Sequence, residues 1–228
     1  MKVPEHIALI PDGNRRWAKN NNLDPWEGHR VGIERFREFL NWSYDLGVKH
    51  VTAFSLSKEN LDKRKNREVD ALFRLYEVYL GVLLDSPDLH KRRIRVYFVG
   101  DLGVFPQNIL DLISKVEGKS KGYKNGSLTL CMNYSGRGEL VNAVRGILRE
   151  KIEPERVDEA IFQKHLQTKV PEPGLLIRTA ERRISNFLLW QLAYTEIYFC
   201  PKLFPDFTKD DLTDAIKQYN QTRRKFGE

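Results

Sequence analysis

Asp12 stands in the run His6-Ile-Ala-Leu-Ile-Pro-Asp-Gly-Asn-Arg-Arg-Trp-Ala-Lys19, where an apolar stretch meets a glycine and two arginines. The apolar residues, stopping at Pro11, read as a strand, and the basic segment from Gly13 reads as the start of a helix. That order puts Asp12 at the carboxyl edge of a sheet, where open α/β folds bind ligands. Backbone N–H groups at a helix start, joined by Arg15 and Arg16, form a pocket for an anion, and Gly13 lets a phosphate approach the backbone closely. A carboxylate among phosphates repels them unless a cation lies between. Magnesium, a hard ion that bridges carboxylate and phosphate oxygens, would remove the conflict. The other reading makes Asp12 a simple helix cap, and spacing leaves both open.

Three further segments carry groups of the same chemistry. In Ile177-Arg-Thr-Ala-Glu-Arg-Arg-Ile-Ser-Asn-Phe187, three arginines (Arg178, Arg182 and Arg183) follow a strand pattern, with Ser185 close behind. Guanidinium forks and a hydroxyl suit a diphosphate. A charged loop is more often a solvated face, so position beside Asp12 at the same sheet edge is what raises its weight. In Phe54-Ser-Leu-Ser-Lys-Glu-Asn60, again just after a strand pattern, Ser57 and Asn60 either bond a substrate or shape a turn, and taken alone the turn is favoured. Glu196, set in the apolar run Tyr194-Thr-Glu-Ile-Tyr198, needs a base or a metal.

The elements that must hold these groups alternate between strand and helix. Strand patterns fall at His6–Pro11, His50–Ser55, Ile94–Val99, Ser127–Asn133, Leu175–Arg178 and Glu196–Phe199, and helical patterns at about 13–21, 29–46, 66–85, 106–120, 137–149 and 156–167. A last helix follows Thr208, a candidate N-cap. Such alternation predicts one α/β domain over residues 1–228, with a mostly parallel sheet flanked by helices. From Val69 to Leu84 the apolar residues cover more than one stripe, which predicts either a helix packed on two sides or one lining an apolar cavity.

Composition narrows the setting. The 228 residues carry 38 Lys and Arg against 31 Asp and Glu, a net charge of +7 that suits an anionic partner without choosing one. Cys131 and Cys200 form no CxxC pair, which argues against a zinc site or disulfide framework and for a reducing compartment. The amino terminus has no signal-peptide core, and no apolar run is long enough for a membrane span. The expectation is a cytoplasmic protein that could still touch a membrane from outside. A nucleic-acid partner is not expected, because the arginines gather at strand ends and no aromatic-and-basic stripe accompanies them.

Taken together, HIALIPDGNRRWAK, GHRVG at Gly28–Gly32, AFSLSKEN at Ala53–Asn60, NYSGR at Asn133–Arg137 and IRTAERRISNFLLWQLAYTEIYF at Ile177–Phe199 resemble the cis-prenyltransferases, the undecaprenyl diphosphate synthases and their relatives. The resemblance runs from His6 nearly to the carboxyl terminus. It implies a six-stranded, mostly parallel sheet, a homodimer, and a transferase that condenses isopentenyl diphosphate in cis with an allylic diphosphate. Long-chain polyprenyl diphosphate, precursor of a glycosyl carrier lipid, would be the product from a farnesyl or geranylgeranyl starter, and its release would involve peripheral membrane contact. The resemblance further places the allylic diphosphate on Gly13, Asn14, Arg15, Arg16 and Trp17, with His29 nearby. It places isopentenyl diphosphate on Arg178, Arg183, Ile184 and Ser185. Ser57, Lys58, Glu59, Leu61 and one of Lys63 or Arg64 would add substrate contacts, and Asn60 with Asp12 would be catalytic. Asp12 and Glu196 would serve the Mg2+, and the helix around Val69–Leu84 would wall an apolar tunnel for the growing chain.

The chain departs from that family's pattern in four places. Pro25 replaces an arginine three residues before the Gly28-His29 pair. The AFSLSKEN segment is two residues longer, so either Lys63 or Arg64 takes the place of the arginine that follows. The loop Thr179-Ala-Glu181 is one residue short, and the ending reads Lys225-Phe-Gly227. Asp210-Asp-Leu-Thr-Asp214 spells the DDxxD of the all-helical trans-prenyl synthases, but those need two facing copies. Here it reads as acids at a helix start. The competing reading, an inactive or partner-dependent subunit, is opposed by the presence of Asp12, Asn60, Arg178, Arg183 and Glu196.

Overall fold

An apolar pentapeptide, HIALI, forms the first strand β1 (His6–Ile10), and all five of its residues are buried. Strands covered on both faces read as continuous apolar runs, the habit of parallel sheets. The structure is a computed structural model and describes residues 2–62 and 66–221. The remaining strands are β2 (His50–Phe54), β3 (Ile94–Val99), β4 (Gly126–Cys131), β5 (Leu175–Thr179) and β6 (Glu196–Cys200). They make one six-stranded sheet in the order β3-β4-β2-β1-β5-β6. This is the helix-flanked parallel sheet that the alternation predicts.

The chain divides into two compact units: Met1–Ala53, Glu172–Ile184 and Tyr194–Glu228 form the first, and Phe54–Pro171 with Ser185–Ala193 the second. In the first, β1 lies between β2 and β5, β6 lies beyond β5, and every pair is parallel. Helix α1 (Asn14–Asn20) packs on α2 (Pro25–Asp45). A Cβ built on Gly28 would sit 2.1 Å from the Asn14 carbonyl oxygen and one on Gly32 2.5 Å from Asn14 Oδ1. The GHRVG motif is therefore a close helix crossing that side chains would block. Pro25 takes the first position of α2, where its missing N–H costs nothing.

The last helix, α9 (Lys209–Gln221), also belongs to the first unit. The Thr208 hydroxyl accepts from Asp211 N at 3.4 Å while Asp211 Oδ2 accepts from Thr208 N at 2.8 Å. This reciprocal pair is a capping box with aspartate as the returning acid. Lys202 also donates to Asp211 at 2.8 Å. The Asp210–Asp214 acids thus stand at a helix start, as the sequence suggested.

In the second unit β3 pairs with β4 in parallel from Ile94↔Gly126 to Val99↔Cys131. Its helices among the described residues are α3 (Lys58–Asp62), α4 (Asn66–Leu84), α5 (Pro87–Arg92), α6 (Gln107–Ser120), α7 (Gly136–Arg149) and α8 (Glu159–His165). The sequence patterns did not mark α3 and α5, because each is a turn or two long and carries no apolar period. Helix α4 packs on α6 and buries Leu72, Tyr76, Tyr79, Leu80 and Leu83, one stripe at helical spacing. Val78 and Val82 face outward. Cys131 and Cys200 are both buried and free of any disulfide.

Candidate active site

Parallel pairing of Ile10 with Arg178 brings the ends of β1 and β5 side by side, so the residues that follow them meet at the carboxyl edge. Asp12 is fastened there by its backbone. Its N–H donates to Thr179 Oγ1 at 2.9 Å, and its carbonyl oxygen accepts from Thr179 Oγ1 at 2.7 Å and from Phe204 N at 3.0 Å. Gly13 then turns the chain at φ 110°, a conformation that L side chains rarely adopt, and a Cβ there would lie 2.8 Å from Leu203 Cδ2. The turn aims α1 so that Arg16 comes back over Asp12.

The charged groups form a connected set. Arg178, buried at the end of β5, donates through Nη2 to Asp12 Oδ2 at 3.0 Å and through Nη1 to the carbonyl of Arg183. Arg16 lies 3.6 Å from Asp12 Oδ1 and donates to Glu181 Oε1 at 2.9 Å. Arg183 takes the other oxygen of Glu181 at 2.8 Å. Arg183 first, and Arg16 beside it, hold the Glu181 carboxyl below its usual range. Burial works to lower the Arg178 pKa while Asp12 works to raise it, and a guanidinium remains charged throughout. Arg16 keeps nearly half and Arg183 more than half of its side-chain surface exposed, so both are open to an incoming anion.

A second group of residues gathers in the other unit. Ser57 caps α3, its Oγ accepting from Asn60 N at 3.1 Å, so this serine shapes the turn. Lys58, Glu59 and Asn60 are exposed. Glu59 Oε1 accepts from Asn186 Nδ2 at 2.7 Å, which makes this acid a tether as well as an expected substrate contact. In the same unit Glu139 is buried with four hydrogen bonds to its carboxylate: Thr168 N at 2.9 Å, Thr168 Oγ1 at 2.6 Å, Tyr134 OH at 2.5 Å and Gln191 Nε2 at 3.1 Å. Burial and the Glu139 charge push the Tyr134 phenol far up, so it stays protonated and donates. A buried carboxylate without a cation is tolerable only when its oxygens are this well supplied.

Several expected site residues have other tasks or places. Asn14 Oδ1 is buried at the α1–α2 crossing without a hydrogen-bond partner, so this amide packs against Gly32. Trp17 Nε1 donates to Asp206 Oδ1 at 2.7 Å. Arg15 is exposed on α1, and His29 is half-buried in the second turn of α2. Ile184 and Ser185 follow β5 and are both half-buried, as is Leu61 in α3. Lys63 and Arg64, with the Lys225–Gly227 ending, lie outside the described residues.

Glu196 stands apart from the arginines within this chain. It pairs with Leu175 at the start of β5, while Arg178 lies three residues further on, about 10 Å along the strand. The register of a single copy therefore does not set Glu196 beside Asp12. Thr179, Glu181, Asn186 and Glu139 were not among the expected site residues. Only Glu181, an acid between arginines, left a signal in the sequence; the others act through tertiary contacts.

Among the described residues no three His, Cys, Asp or Glu side chains gather into a metal cluster. Magnesium needs no such cage, since it keeps much of its water and takes one or two carboxylates together with substrate phosphates. Asp12 fits that demand: its carboxylate is more than a third exposed and stands among phosphate-seeking arginines.

The comparisons with known proteins agree with this architecture. The family model described as "Putative undecaprenyl diphosphate synthase" matches residues 10–227. A "Tritrans,polycis-undecaprenyl-diphosphate synthase (geranylgeranyl-diphosphate specific)" of Methanopyrus kandleri is 42% identical over 99% of this chain and 85% of its own length. An "Isoprenyl transferase" of Aquifex aeolicus is 40% identical over 100% of this chain and 97% of its own. The crystal structure of lavandulyl diphosphate synthase from Lavandula x intermedia, in complex with dimethylallyl diphosphate, superposes with a TM-score of 0.91 at 40% identity, covering 99% of both chains. With the site geometry and nearly full-length matches in agreement, the chain belongs to the undecaprenyl diphosphate synthase family and is a cis-prenyltransferase.

Proposed function

We propose that the chain, acting over 1–228 as one catalytic domain, condenses isopentenyl diphosphate with farnesyl or geranylgeranyl diphosphate to make a long-chain polyprenyl diphosphate for a glycosyl carrier lipid. The observation that carries the reading is Asp12 set at the carboxyl edge among Arg16, Arg178 and Arg183. In this reading Gly13, Arg15 and Arg16, with His29, take the allylic diphosphate, and Arg183, Ser185 and buried Arg178 take isopentenyl diphosphate. As the allylic C1–O bond breaks, charge grows on the departing diphosphate, and the arginines stabilise it in place. The isopentenyl double bond attacks C1, and a proton then leaves the adduct to give the cis double bond. Asn60 orients that step, since an amide is too weakly basic to keep the proton. Asp12 would hold the magnesium, which supplies charge neutralisation to the diphosphate when bound. Holding two diphosphates in one orientation supplies much of the rate.

The same reading makes the protein a cytoplasmic homodimer with peripheral membrane contact for product release, and makes α4 a wall of the apolar tunnel. No helix among the described residues is long and apolar enough to cross a membrane. The test is incorporation of labelled isopentenyl diphosphate with magnesium, using dimethylallyl, geranyl, farnesyl and geranylgeranyl diphosphates separately. Long butanol-extractable product from the longer starters, lost with EDTA and in Asp12→Ala, supports the reading. A short product from dimethylallyl diphosphate alone overturns the long-chain part. No product from any starter, with the protein folded, moves the assignment to a partner-dependent subunit.

A further inference from the structure

We infer that Asn186 is a positioning residue that holds Ser185 and Asn60 in one geometry. Its backbone is left-handed at φ 63°, and Ser185 before it is also left-handed at φ 49°. Asparagine tolerates that region better than most residues, so its identity fits the bend, while Ser185 depends on its surroundings to stay there. Part of that support comes through its neighbour Asn186. Its carbonyl oxygen accepts from Gly136 N at 2.8 Å, and its Oδ1 accepts from Arg137 N at 2.9 Å. Its Nδ2 donates to Ser135 Oγ at 2.9 Å and to Glu59 Oε1 at 2.7 Å. A Cβ on Gly136 would stand 2.7 Å from the Asn186 carbonyl oxygen, so α7 opens on a glycine that leaves room for this contact.

One amide thus joins three segments: the loop bearing Ser185, the amino end of α7, and the α3 turn in which Glu59 directly precedes Asn60. The inference rests on the proposed roles of Ser185 in binding isopentenyl diphosphate and of Asn60 in the proton step. Asn186 touches neither reacting group in this account and acts through its neighbours. Loosening it should therefore act on isopentenyl diphosphate and turnover before it acts on the allylic starter.

Asn186→Asp isolates the tether. The aspartate keeps the left-handed preference and the Arg137 N–H contact, and the Ser135 hydroxyl can turn to donate. Only the Glu59 contact becomes carboxylate against carboxylate. Adding Glu59→Gln restores a donor–acceptor pair with the direction reversed. In the full-length protein with magnesium, Asn186→Asp should raise KM for isopentenyl diphosphate or lower kcat by about tenfold, with KM for the allylic starter within about twofold. Glu59→Gln alone, whose side-chain carbonyl still accepts from Asn186 Nδ2, is the reference for the double variant; in that background Asn186→Asp should cost little. An equal cost of Asn186→Asp in both backgrounds, parallel changes in both KM values with a falling Tm, or no change at all would each overturn the inference. Ser185→Ala, measured alongside, separates the two levels. If it leaves KM for isopentenyl diphosphate unchanged, the ligand assignment fails whatever Asn186→Asp does.

Discussion

Arg178 Nη2 meets Asp12 Oδ2 at 3.0 Å, joining the end of β5 to the turn that follows β1. The same guanidinium holds the Arg183 carbonyl through Nη1, so one buried fork sets both an acid and a loop. A lysine carries its three N–H groups on one nitrogen and cannot reproduce the span between Nη1 and Nη2. Arg178→Lys should lower kcat/KM at least about tenfold, with most of the change in KM for isopentenyl diphosphate. A kinetic profile like that of the unaltered protein would show that the fork geometry is not used.

Asp12→Asn leaves that fork with a weaker acceptor and removes the carboxylate that would hold magnesium. Because Asp12 is partly exposed, the stability cost should be small, about 1–2 kcal/mol. Activity should fall at least about 100-fold, the scale of losing one group that stabilises developing charge. Thermal melting and labelled-product assays on one preparation separate the effects. A variant that stays active and magnesium-dependent would remove Asp12 from the metal.

The buried Glu139 receives only donors, which sets the order of two substitutions. Tyr134→Phe removes one of four and should cost about 1–3 kcal/mol. Glu139→Gln brings an NH2 group where the surroundings offer N–H and O–H groups, so it should cost more. Urea melts at neutral pH give both values, and the reverse order would contradict the network described here.

Glu181 makes part of the stability depend on acid. Arg183 and Arg16 hold its carboxyl low in the folded chain, so the unfolded chain binds more protons as pH falls through that range. Its contribution is complete above the ordinary carboxylate range and is lost as pH drops through the lowered value. Melting temperatures of the natural chain and of Glu181→Gln should differ at about pH 7 and converge near about pH 3. A constant difference across the range would mean that the ion pairs add nothing.

The shortened loop predicts a gain. Ala180 sits at φ 69°, where a Cβ is penalised by about 1–2 kcal/mol. Ala180→Gly removes that strain but frees the unfolded chain, so the net gain should be under about 1 kcal/mol, a rise in Tm of about 1–3 °C. A fall in Tm would show that other contacts hold Ala180 in place.

The sequence by itself determined the family, the alternation of strands and helices, the placement of Asp12 and Arg178 at a carboxyl edge, and the helix start after Thr208 with its acids. These follow from local causes: apolar period, turn chemistry, and acids at a helix start. Tertiary structure alone decided that Asn14 packs at a helix crossing, that Glu196 starts its strand about 10 Å from the Arg178 level, and that Glu139 and Asn186 tie distant segments together. Strand register sets where an acid stands along a sheet, and a side-chain hydrogen bond across 127 positions, as between Glu59 and Asn186, leaves no period to read. Such contacts arise only when the folded backbone brings their two ends together.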